Sequence, residues 1–124
     1  MPRSILDESR IHRSIRQHIA AAHADIVRDV QDAVAATDVV IVGMAHNPMP
    51  RRARKTLDGI GQHYAYLEFG SYFSQWRRRN ALKMWTGWPT FPMIFVKGVL
   101  VGGSDDLQAL VDSGELAKMM AGPR

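Results

Sequence analysis

No cysteine occurs among the 124 residues. That absence excludes disulfides, thiolate nucleophiles, zinc sites built on sulfur and iron–sulfur clusters ligated by protein thiols. It does not identify the redox compartment, because a missing thiol carries no information about redox conditions. Long apolar runs are missing as well; none approaches the roughly 20 residues a membrane helix needs. The opening stretch MPRSILDESRIHRSIRQ is polar and charged, without the apolar segment of a secretory signal. A cytoplasmic location is the expectation, with no membrane partner. Metal-ligand spacing is also absent. His12, His18 and His23 are separated by six and five residues, so no two of them share a helical face at i, i+4.

Basic charge is present and clustered. The net charge is +4, with Arg51, Arg52, Arg54 and Lys55 in one group and Arg77, Arg78, Arg79 and Lys83 in another. An acidic protein, a small anion and nucleic acid are the partner classes this allows, and a solvated basic face is the plain alternative. Nucleic acid is the weakest of them, since no RNP-type aromatic pattern accompanies the charge. The three consecutive arginines cannot share one helical face, because neighbouring positions differ by about 100°.

The hydrophobic pattern alternates between helix and strand. Ile11, Ile15, Ile19, Ile26, Val30 and Val34 form one stripe and predict helix over 8–36, as one segment or two. VVIVG at 39–43 reads as a buried strand. Pro50 suits the first turn of a helix over 50–61. A strand at 64–68 and a helix at 74–85 follow. MIFV at 93–96 and VLV at 99–101 are strands joined at Lys97-Gly98. Ser104 is placed as the N-cap of a last helix or helix pair over 105–120, broken near Ser113-Gly114. The order α-β-α-β-α-β-β-α predicts an α/β fold with a parallel βαβ unit, an antiparallel hairpin, and helices on both faces of a mixed four-stranded sheet.

The run WPTFPMIFVKGVLVGGSDDL at 88–107, followed by SGEL at 113–116, resembles the glutaredoxin family of the thioredoxin fold, and within it the monothiol branch. The resemblance covers about residues 25–121 and implies a division into an N-terminal helical extension, 1–22, and a glutaredoxin-like domain, 23–124. In that family the turn after the first strand carries C-P-x-C or C-G-F-S. Aligned on VVIVG, the four positions here are Asn47, Pro48, Met49 and Pro50, so Asn47 and Pro50 stand at the degenerate thiol positions. No catalytic residue remains, and thiol–disulfide exchange, which needs a thiolate, is not expected.

What the resemblance implies for binding survives better. Glutathione in this family lies across the turn. Its backbone pairs with the residue before a cis-proline, here Phe91 before Pro92. Its γ-glutamyl carboxylate sits at the start of the penultimate helix, here Gly103, Ser104 and Asp105. A basic side chain, here Arg79 with Arg78 and Lys83 as neighbours, meets its glycyl carboxylate. The implied reading is a cysteine-free module that binds glutathione or an extended peptide, with Asn47 on the same groove. The residues themselves require no cofactor, and glutathione is the ligand the resemblance allows. The alternatives are an interaction module that contacts an acidic protein through its basic patches, and a role in redox homeostasis or iron–sulfur assembly with ligands supplied by partners.

Overall fold

The computed structural model describes residues 2–123. A short 3-10 turn at Glu8–Arg10 leads into α1 (Arg13–Ala21) and α2 (Ala24–Ala36). There follow β1 (Val39–Gly43), α3 (Pro48–Gly59), β2 (Ala65–Glu68), α4 (Trp76–Thr86), β3 (Met93–Val96), β4 (Val99–Gly102), α5 (Ser104–Ser113) and α6 (Glu115–Ala121). The sheet order is β2-β1-β3-β4. β1 and β2 are parallel, while β1–β3 and β3–β4 are antiparallel. This is the mixed four-stranded sheet that the alternation of helix and strand patterns predicts, and the thioredoxin-like fold that the family resemblance implies.

The central strands are apolar on both sides because both faces are covered. Val40 and Val42 of β1 join Met93 and Phe95 of β3 beneath Ile26 and Val30 of α2 and Leu82 of α4. Val39 and Ile41 join Ile94 and Val96 against Ala53 and Leu57 of α3 and Leu107 of α5. The two-residue period of a strand thus divides one apolar run between two cores. The β3–β4 connection runs through Lys97 and Gly98, both at positive φ, 48° and 82°, as a tight two-residue hairpin requires.

Two boundaries differ from the pattern-based expectation, and one alternative left open is decided. The stripe over 8–36, read as one segment or two, is two α-helices parted at His23, whose φ is 50°. Ile26 and Val30 of α2 are buried, whereas α1 buries no residue. The isoleucine periodicity therefore ran through two helices with different neighbours. α3 begins at Pro48, not Pro50: the Asn47 side chain caps it and Pro48 takes the first helical position. Pro50 still fits, because the first four helical N–H groups have no intrahelical partner in any case. Ser104 is the first residue of α5, and Gly103 is its N-cap.

Gly43 lets the turn close over the end of β1. A Cβ there would lie 2.9 Å from Cβ and Cγ of the buried Pro50 and 3.0 Å from Cε1 of Tyr66. Neither ring can yield without moving α3 or β2. Gly43→Ala should therefore lower stability by about 1–3 kcal/mol, read from the midpoint of urea unfolding at unchanged slope.

Candidate functional site

A groove of about 600 Å³ opens where the β1–α3 turn, the start of α5, the segment before β3 and one side of α4 meet. Asn47, Arg79, Phe91, Pro92, Gly103, Ser104 and Asp105 all line it. The fold thus gathers these seven positions, which span 59 residues of chain from 47 to 105, onto one surface. Pro50 is not among its walls; it is buried and lines a smaller cavity behind the turn with His46, Arg51 and Glu68.

The turn is closed on itself. Asn47 Oδ1 accepts the Met49 N–H at 3.0 Å, and Asn47 Nδ2 donates to the Phe91 carbonyl at 3.3 Å. The Phe91–Pro92 peptide is cis. One of the two backbone groups expected to face a ligand, the Phe91 C=O, already has a side-chain donor. No hydrogen bond among the described residues takes up the Phe91 N–H.

The start of α5 is likewise partly committed. Gly103 N–H donates to Asp106 Oδ2 at 2.9 Å, and the buried Ser104 hydroxyl donates to the Met49 carbonyl. The serine thus ties α5 to α3 and does not cap its own helix. Ser104 and Asp105 keep their N–H groups, which at a helix start have no intrahelical acceptor. Gly102 makes the approach of Asp106 workable: its φ is 113°, and a Cβ there would lie 2.5 Å from Asp106 Oδ2. Asp106 was not among the expected site residues; its carboxylate back on the Gly103 N–H is one half of a capping box, the other half being absent because Gly103 has no side chain.

The three consecutive arginines diverge, as helical geometry demands. Arg78 donates to Asp25 Oδ2 at 2.9 Å and to Gln75 Oε1 at 2.6 Å, on the side away from the groove. Arg79 is 5% exposed, and its Nη1 donates to the Phe69 carbonyl at 2.9 Å and the Ser74 carbonyl at 2.6 Å. It is a brace for the β2–α4 loop as well as a groove wall. Burial draws its guanidinium below its ordinary value, yet it remains a cation at neutral pH. Lys83, one turn further along α4, also lines the groove, with Nζ 5.8 Å from the centre of the Phe91 ring.

Two cations on α4 therefore face two carboxylates, Asp105 and Asp106, at the start of α5. Tyr72 and Trp88 complete the walls. Neither was expected, since a loop tyrosine and a tryptophan before proline carry no periodic signal. Arg52 lies 3.6 Å from Asp105, which offsets its unfavourable place in the first turns of α3. Both side chains are largely exposed, so the pair adds little stability. Behind the turn, burial and a 2.9 Å hydrogen bond to Glu68 push the Tyr66 hydroxyl up to about 12.

The Glutaredoxin family model matches residues 39–101. The chain belongs to the glutaredoxin family. A glutaredoxin-like protein of Dictyostelium discoideum is 42% identical over 103 residues, which is 83% of this chain and 84% of that one. Among solved structures, oxidized glutaredoxin 2 from Chlamydomonas reinhardtii superposes with a TM-score of 0.69 at 27% identity, covering 81% of this chain and 94% of that one. A buckwheat glutaredoxin–glutathione complex shares the fold, with a TM-score of 0.68 at 22% identity, covering 81% and 91% of the two chains. This glutaredoxin differs from the thiol pattern of its family at the turn itself, where asparagine and proline stand.

Proposed function

We propose that this glutaredoxin is a binding module that takes glutathione, or an extended γ-glutamyl or peptide segment, into the groove and performs no thiol–disulfide exchange. The observation that carries the proposal is the convergence of these seven residues on one groove that contains no cysteine thiol. About 600 Å³ is within the range of small-ligand sites. The free Phe91 N–H can pair with an extended ligand backbone. Lys83 and Arg79 would meet a carboxylate at the α4 side. The Ser104 and Asp105 N–H groups would hold a second carboxylate, with the two aspartates beside its amine. A ligand that is zwitterionic at one end and anionic at the other suits this layout. The buckwheat relative, a glutaredoxin caught with glutathione, supports the choice of probe.

Titration of glutathione by NMR should perturb the amides of Phe91, Ser104 and Asp105 with a Kd on the order of 0.1–5 mM, a weak affinity because Asn47 and Asp106 already occupy two backbone groups. Lys83→Ala should weaken binding about threefold to tenfold. Absence of any shift at about 10 mM ligand, a concentration above that Kd range, would sink the glutathione form of the proposal. The alternative, contact with an acidic protein through the basic patches, loses part of its surface, because Arg78 is paired with Asp25 and Arg79 is buried, while Arg51, Arg52 and Arg77 remain exposed.

A further inference from the structure

α4 has a second working side. Its Arg79 and Lys83 face the ligand groove; its Arg77, Met84 and Trp85 line a separate groove of about 480 Å³ walled by α1 and α2. The floor is apolar, with Ile19 of α1, Val27 of α2, Met84 and Trp85. Much of it is open to water: Met84 is 74% exposed, Ile19 44% and Trp85 38%. α1 buries none of its residues, so the core does not account for its apolar face. An open apolar surface of this kind, rimmed by polar groups, marks an interaction site.

We infer that this groove receives an amphipathic helix of a partner protein, with its apolar stripe on the floor and acidic side chains against Arg28 and Arg77. Two arguments select that occupant. Apart from Ala22 and His23 between α1 and α2, the walls are helices, whose backbone groups bond within themselves, and no sheet edge lines the groove, so an extended segment would find no ladder to join. A helix brings its own backbone bonds satisfied and needs only side-chain contact. The charge is also one-sided. Arg28 and Arg77 line the groove, no acidic residue does, and Asp25 of α2 is already paired with Arg78 at 2.9 Å. The groove gives an acidic partner a specific surface, and it is independent of glutathione, which would lie on the other side of α4.

The test uses the full chain and two fluorescein-labelled peptides of about 15 residues, long enough to form a helix on docking. Both carry leucine at i, i+3, i+4 and i+7; one has glutamate on its flanks and the other lysine. Anisotropy should show micromolar binding of the glutamate peptide and at least tenfold weaker binding of the lysine peptide. The double variant R28E/R77E should reverse that preference, and Met84→Glu should abolish binding of the glutamate peptide. Circular dichroism should show all variants folded, since the altered side chains are exposed or half-buried. Equal binding of the two peptides, no binding of either, or indifference to the variants would overturn the inference. So would concentration-dependent dimerisation in sedimentation that Met84→Glu removes, which would place a second copy there. Capture on phosphatidylserine vesicles that is lost in the same variants would place a lipid surface there and overturn it equally. Failure of this test leaves the glutathione titration unaffected, and the reverse also holds.

Discussion

Arg79→Met should lower the stability of the protein by about 2–4 kcal/mol and shift its thermal midpoint down by about 10 °C. The side chain is almost fully buried, and its Nη1 is a donor to two backbone carbonyls, those of Phe69 and Ser74. Methionine fills a similar volume but leaves both carbonyls without that donor, at about 1–3 kcal/mol each when water cannot replace it. Arg79→Lys should recover part of the loss, because one ammonium can reach one carbonyl but lacks the planar fork. The loop that the arginine holds carries Tyr72 on the groove rim and Phe73, which is 96% exposed. Amide exchange should therefore speed up over 70–75 more than elsewhere. Were the variant as stable as the parent, Arg79 would be a ligand-facing cation only, and its bonds to the loop would be incidental.

The second large effect concerns the turn. The parent chain should show no reaction with disulfide reagents and no turnover of glutathionylated substrates. Asn47→Cys should introduce one reactive thiol per chain, but with a pKa near the ordinary value of about 8.5. A low thiolate pKa at this position would need N–H donors in the first turn of α3. Pro48 and Pro50 have none, which leaves the Met49 N–H as the single donor, now used by Asn47 itself. The double variant N47C/P50A restores one more N–H and should lower the thiol pKa by roughly half a unit relative to N47C. Removal of the asparagine cap costs about 1 kcal/mol of stability, so both variants should remain folded. Thiol pKa is read from the pH dependence of iodoacetamide alkylation. A value near 6 in N47C alone would show that Arg51 and Arg52 stabilise the anion without the amides. Turnover by the parent chain would overturn the proposal that the turn is inert.

The elements were largely legible in the residues. The β-branched run at 39–43 and the apolar run at 93–96 named two of the strands, and the helix-breaking Ser113-Gly114 marked the gap between α5 and α6. Local signals sufficed there because backbone propensity and burial point the same way. Over 8–36 they left one helix or two open, because alanine-rich propensity continues through His23 although only α2 packs on the sheet. They also misplaced the start of α3, because two prolines are equally acceptable among positions whose N–H groups have no partner.

By itself, the sequence determined what this glutaredoxin does not contain. Without cysteine there is no thiolate, and with proline at 48 and 50 there are few amides to support one. It also named the seven residues that now share a groove, through a family pattern and not through any local physical signal. The tertiary structure alone decided which polar groups on that groove are free. Asn47 reaches Phe91 across 44 residues, Ser104 reaches Met49 across 55, and Arg79 turns inward to the loop before α4. Contacts between segments so far apart in the chain depend on how helices dock on the sheet, which no periodicity within a window of residues encodes. The same docking leaves α1 unburied and opens the second groove on the far side of α4.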